Sequence, residues 1–326
     1  MDVRTLNNLF GLLAVAAMAV AAVAWVGVLA VRRNQALRER LQVDLGSNLR
    51  WLAFVIATVT TIGSLYYSEV RGFLPCELCW LQRDLMYPLV VVLFVGTLRR
   101  DRGLGWYVLP FAVIGPLVSS YHLLVENVSW FKEGSTCSLS CAEPPIRVLF
   151  HFVSLAFMAL SAFLAIGGLV ALDAVLHRGD ESRIDRRGGS VPLRAVALVA
   201  VLVPFAIGLF QTQVQNEYLA DQLWYPRVAV YPLVFLIAVA LARRARDLAW
   251  YSLPFVAVAL ILLARYFAAP PAVADPTGWW AAVAAAGAAV AGVALVLDSR
   301  AGGAASEPDA SGKNGDSVRA DLEVSR

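Results

Sequence analysis

Four cysteines stand in two close pairs, Cys76/Cys79 and Cys137/Cys141. A two-residue gap lets two thiols close a disulfide without moving the chain far, which makes Cys-x-x-Cys a redox device. With Cys79 in the first turn of a helix, the positive end of the helix dipole favours its thiolate. Arg83, four residues on, shares that helix face and adds a permanent charge able to hold an anion or a ligand carbonyl. An arginine about one turn deep in apolar sequence is costly unless it has a job. Glu77, between the cysteines, is placed to tune the thiols. His122 and Glu126 lie near the outer end of an apolar run, where His122 can assist proton release or simply meet lipid headgroups. Trp80 and Tyr87 suit an aromatic belt, and Trp80 is also placed to line a site beside Cys79.

The same cysteines admit other chemistry. Cys-x-x-Cys also serves zinc, and four thiols can form an all-cysteine zinc site. Here the pairs are separated by two membrane spans and face an oxidising compartment, so no metal is expected. Two inert disulfides are a second alternative, yet loops this short are poor staples because disulfide stabilisation grows with loop length.

Those residues need elements to hold them, and composition says which. The chain has 326 residues, 59% hydrophobic and only 16% charged, with a mean hydropathy of +0.67. Soluble domains carry about 25% charged residues, so this is an all-α polytopic membrane bundle. Runs near the roughly 20 residues needed to cross the hydrocarbon core predict spans at 8–31, 50–68, 80–98, 105–126, 147–176, 193–213, 228–242, 250–268 and 278–298. Arginines cluster between alternate spans: Arg32, Arg33, Arg38 and Arg40; Arg99, Arg100 and Arg102; Arg178, Arg183, Arg186 and Arg187; Arg243, Arg244 and Arg246. The positive-inside rule puts these four loops in the cytoplasm. The N-terminus is then outside, and both cysteine pairs fall on the oxidising, extracytoplasmic side of the cell membrane, where disulfides persist. The arginines follow the first span rather than precede it, which suits a retained anchor and not a cleaved signal. Contacts with membrane lipid are expected; no nucleotide fingerprint and no basic aromatic patch for nucleic acid is present.

An internal repeat runs at a constant offset of 144 residues. Trp80, Arg83, Tyr87 and Pro88 recur as Trp224, Arg227, Tyr231 and Pro232, and Trp106, Tyr107 and Pro110 recur as Trp250, Tyr251 and Pro254. Two tandem four-helix units preceded by one extra transmembrane helix explain this. Cys76 and Cys79 correspond to Ala220 and Leu223, so the second unit cannot perform thiol chemistry. The expected division is an N-terminal anchor and linker over 1–45, a thiol-redox unit over 46–178, a linker over 179–192, a degenerate repeat over 193–299 and a disordered tail over 300–326.

The run Pro75-Cys76-Glu77-Leu78-Cys79-Trp80-Leu81-Gln82-Arg83, followed by Met86-Tyr87-Pro88-Leu89, resembles the disulfide bond formation protein B (DsbB) family, in particular its Gram-positive variant, over about 50–175. The resemblance implies a membrane thiol:quinone oxidoreductase with catalytic Cys76, Cys79, Cys137 and Cys141. Cys79 would be the thiolate facing the quinone ring, and Arg83 the quinone-binding residue. Cys137 and Cys141 would form the loop pair that takes electrons from an extracytoplasmic, thioredoxin-like (DsbA-like) dithiol oxidase. The cofactor would be ubiquinone or menaquinone. The chain departs from the family in the three-residue spacing of its second pair and in its extra helices. The alternatives are a non-catalytic scaffold with structural disulfides, an outward electron conduit, and a quinone reductase of the vitamin K epoxide reductase type.

Overall fold

A computed structural model describes residues 3–45, 48–134, 141, 144, 146–149, 152–177, 190–213, 221–243, 248–268 and 278–304. Cys137, the arginines of the 178–187 cluster, Arg244, Arg246 and the tail from 305 lie outside the described residues. Among the described residues, nine helices are long and apolar enough to cross a membrane, matching the number of predicted spans.

The long helix α1 (Val3–Arg33) ends on Arg32 and Arg33, cations at the negative end of the helix dipole. A short polar helix, α2 (Gln35–Leu45), follows within the expected linker. Next come α3 (Asn48–Leu65), a π-helical turn at Tyr66–Val70, α4 (Glu77–Leu98), α5 (Leu104–Asn127) and the short α6 (Ser129–Gly134). The fifth predicted span begins later than expected. Arg147–Val148 (β1) and Val153–Ser154 (β2) pair antiparallel, with Arg147 opposite Ser154. Helix α7 (Leu155–Leu176) then starts where Ser154 Oγ accepts from Phe157 N; an N-cap serine sets that start, not the hydrophobic run. The second group is α8 (Val191–Gln213), α9 (Asp221–Arg243), α10 (Leu248–Ala268) and α11 (Gly278–Ala304). Helix α9 extends beyond the short 228–242 run, starting seven residues earlier at Asp221.

In the first group α3 and α5 each pack on α4 and on α7. Gly115 permits the α5–α7 approach, since a Cβ there would run into the Phe163 ring. The second group repeats this order, α8 and α10 each packing on α9 and α11. An ion pair joins the first and last helix of each group, Arg50–Asp173 and Arg194–Asp298, both at 2.8 Å. The groups meet through α4 and α9 and exchange equivalent contacts. Arg99 lies over the Trp250 ring at 4.3 Å and Arg243 over Trp106 at 4.6 Å, positions related by the 144-residue offset. Between them the Tyr107 and Tyr251 rings are 4.3 Å apart. Reciprocal contacts of this kind mark a pseudo-two-fold interface. Large side chains such as Val23, Val26, Leu117 and Ile261 stay exposed on the outer faces, as a lipid solvent requires. Arg38, Arg50 and Asp101 gather at one end of the bundle, while Asn7, Cys76 and Val148 mark the other.

Candidate functional site

Gly72, at φ 67°, turns the chain between α3 and α4, a conformation that costs glycine little. Cys76 then caps α4 from an extended conformation, and its Sγ accepts from Cys79 N at 3.2 Å. The cap places Cys79 in the first turn, as the spacing predicts, and brings the two sulfurs to 2.7 Å as free thiols. Cys76, just outside the span, is buried. Its thiol is pushed far above the usual range by the hydrogen bond it donates to Cys79 and, next, by burial.

Arg83 lies one turn deeper. Its Nε donates to Ser64 Oγ and its Nη2 to Ser64 O, both at 3.0 Å, and Tyr87 OH donates to the same Oγ at 3.1 Å. The guanidinium sits 4.9 Å from the Trp80 ring centroid. Nη1 is buried and has no hydrogen-bond partner among the described residues. Cys76, Cys79, Gln82, Arg83, Met86 and Tyr87 present one face of α4 to a largely apolar cavity of about 360 Å³. Trp80, next to Tyr87 around the helix, is not among the residues lining the cavity and lies against the Arg83 guanidinium.

Cys141 is fully buried and disulfide-bonded. It shares a small apolar cluster with Cys76, Leu78 and Val125, and its Sγ lies 3.3 Å from Glu77 Oε2. A disulfide sulfur has no hydrogen to donate, so this is a bare S···O approach. His122 joins the cysteines. Its Nε2 stands 3.8 Å from Cys76 Sγ and 3.7 Å from Glu126 Oε1. Its Nδ1 is 3.3 Å from the Gln82 side-chain amide, and the ring also bonds the Cys141 backbone. At 2% exposure it is not a headgroup contact. Cys76, Cys79 and His122 also bring their donor atoms within 4.8 Å of one another, close enough to hold a soft metal ion. Gln82 and Ser64 escaped sequence reasoning, since one polar residue in an apolar helix gives little sign of what it touches.

A thiol pair set at the end of a membrane helix, beside an apolar cavity and against a cysteine already in a disulfide, defines a membrane thiol–disulfide redox protein. The comparisons narrow that class. Residues 47–172 match the family described as Disulfide bond formation protein DsbB. The Disulfide bond formation protein C of Bacillus subtilis (strain 168) is 40% identical over 134 residues, 40% of this chain and 94% of that protein. The Probable disulfide formation protein of Oceanobacillus iheyensis is 48% identical over 121 residues, 36% of this chain and 83% of that protein. The chain therefore belongs to the DsbB family as a multi-pass membrane protein with a role in disulfide formation. The family match leaves out α1, α2 and the whole second helix group. No solved structure matches the chain.

Proposed function

We propose that this protein oxidises an extracytoplasmic thioredoxin-like dithiol partner and passes the electrons to a membrane quinone, ubiquinone or menaquinone. The observation that carries this reading is the free Cys76–Cys79 pair at the polar end of an apolar cavity, packed against disulfide-bonded Cys141. The arginine-rich end of the bundle is assigned to the cytoplasm and the cysteine end to the oxidising side.

We assign the Cys141 disulfide to Cys137. A thiolate of the partner attacks it, a mixed disulfide forms and one loop thiolate leaves. The partner's second thiol displaces the other loop sulfur, so the partner departs oxidised and the loop pair is left as two thiols. A loop thiolate then repeats the exchange on a Cys76–Cys79 disulfide, which leaves that pair as two thiols.

A quinone bound in the cavity supplies the acceptor for two electrons and two protons. The residues present fit one. Arg83 is held on Ser64 by two of its nitrogens, which leaves Nη1 to donate to a carbonyl. The Trp80 ring lies against the guanidinium and helps to fix it. Cys79 presents its sulfur to the cavity, while Cys76 keeps its proton until the S–S bond forms. With the Gln82 amide turned over so that its oxygen replaces the nitrogen now 3.3 Å from His122 Nδ1, Nδ1–H donates to it and Nε2, 3.8 Å from Cys76 Sγ, is left to take that proton. Glu126 then balances the imidazolium. Residues 191–304 act as a degenerate copy that braces α4.

The test is anaerobic: purified protein, a water-soluble quinone and a reduced thioredoxin-like dithiol are mixed, and quinone absorbance is followed. Reduction should require both Cys76 and Cys79. Quinone reduction that survives Cys76→Ser sinks the reading.

A further inference from the structure

Helix α1 lies outside the family match, yet it forms one wall of the cavity at the dithiol. Phe10, Leu13, Ala14, Ala17 and Val20 line it, a stretch of eleven residues or about 15 Å of helix rise. Opposite stand Tyr67 of the π-helical turn and α3 from Gly63 down to Val55 and Leu52, and Leu155, Met158 and Ala162 of α7 form the back. Both α1 and α3 pack along α7, but they make no comparable contact with each other. The cavity is the gap between them.

The two ends of that gap differ. At the cysteine end it is shut: the Phe10 ring lies 6.0 Å from Tyr66 and 5.6 Å from Tyr67, and Tyr67 OH donates to Asn7 Oδ1 at 3.2 Å. A Cβ on Gly63 would come within 3.1 Å of Phe10, so closure there is tight. Cys76, Cys79, Gln82 and Arg83 all sit at this end. Further along, the walls are Ala17, Val20, Leu52, Val55, Ile56 and Val59. The hydroxyls at that depth are already used by their own helices, Thr60 on Ile56 O at 2.8 Å and Ser161 on Met158 O at 2.9 Å. A ligand placed here meets polar groups at its head and a purely apolar slot beyond.

We infer that α1 is the wall that receives the isoprenoid tail of the quinone, which runs between α1 and α3 past Ala17. This makes α1 a determinant of tail-length preference. The inference rests on the quinone reading above. The small side chains of Ala14 and Ala17 set the width of the slot. Moving a tail from bilayer to slot gains no hydrophobic energy, because lipid chains are as apolar as the wall. The slot acts instead by holding the tail in line with the head, so filling it should change apparent affinity without touching the chemistry.

The experiment uses the full chain in nanodiscs with two quinones of the same head group, one with a single isoprenoid unit and one with a long tail. Ala17→Phe should raise both KM and the equilibrium Kd, the latter read from quenching of tryptophan fluorescence, about tenfold for the long-tailed quinone, equivalent to about 1.4 kcal/mol, and leave both constants for the short one within about twofold. Val55→Phe enters the slot from α3 and should do the same, so poor folding of one variant does not decide the matter. Val23→Phe, on the exposed outer face of α1, should change neither. An equal loss with both quinones, or none with the long-tailed one because bilayer lipid fills the slot, overturns the inference while leaving the quinone reading intact. If the unmodified protein reduces neither quinone, both readings fall.

Discussion

Breaking the ion pair between the two helix groups should cost more than any surface contact in the molecule. Asp84 Oδ2 and Arg227 Nε are 3.0 Å apart, with side chains 4% and 0% exposed. Exposed ion pairs contribute about 0–1 kcal/mol. Removing one member of a buried pair strands the other charge, at about 3–5 kcal/mol. Arg227→Met leaves the Asp84 carboxylate one residue from the cavity-lining Arg83. Asp84→Leu leaves the Arg227 guanidinium with its face 4.6 Å from the Tyr231 ring, a contact worth up to about 2 kcal/mol when desolvated. Arg227→Met should therefore be the worse single change. Replacing both by apolar residues of similar volume removes the stranded charge, so Asp84→Leu/Arg227→Met should sit near the parent protein or above it in stability. The assay is SDS-driven unfolding of the full chain in mixed micelles, followed by near-ultraviolet circular dichroism as a double-mutant cycle. A double variant as unstable as the sum of the two single changes would refute the reasoning, because the two residues would then not be compensating each other.

Two further outcomes follow from the site. Arg83→Ala removes a charge-assisted bond of about 1.5–3 kcal/mol and should raise KM for the quinone roughly 10- to 150-fold; an unchanged KM would make Arg83 architectural. His122→Asn removes the base facing Cys76 Sγ, so quinone reduction should slow by about a hundredfold or more. Because the Cys76 thiol is held well above its ordinary range, only rising pH can then remove its proton, and activity should recover as pH increases; a profile parallel to that of the parent would count against proton transfer to His122.

Much of this was legible in the chain. Long apolar runs fix the number of spans because lipid forces every backbone group into a helix, and arginine placement orders the ends. The dithiol and Arg83 were legible because their spacing is local: residues three and four apart share a helix face. What crossed between helices was not. Nothing near His122 in sequence shows that it reaches Cys76, 46 residues away, and the Ser64 anchor of Arg83 lies on another helix. Asp84 offered one sign, a carboxylate inside an apolar span, but its partner lies in the other helix group. The role of α1 was least visible, since its alanines read as an ordinary membrane anchor.

Two arginines at positions related by the 144-residue offset behave differently. Near the arginine-rich end the halves exchange equal contacts, Arg99 with Trp250 and Arg243 with Trp106. Deeper along α4 and α9 that equality fails. Arg83 turns back onto Ser64 of its own half, whereas Arg227 reaches across to Asp84. Two positions account for this. The counterpart of Ser64 is Gly208, so Arg227 has no hydroxyl at that place in its own half, and the counterpart of Asp84 is Val228, so Arg83 has no carboxylate to draw it across. With serine and aspartate in both halves, each arginine would face a choice between its own cavity and its neighbour. Placing both acceptors in the cysteine-bearing half resolves the choice: Arg83 stays with Ser64 at the cavity wall, and Arg227 pairs with Asp84 of the dithiol helix.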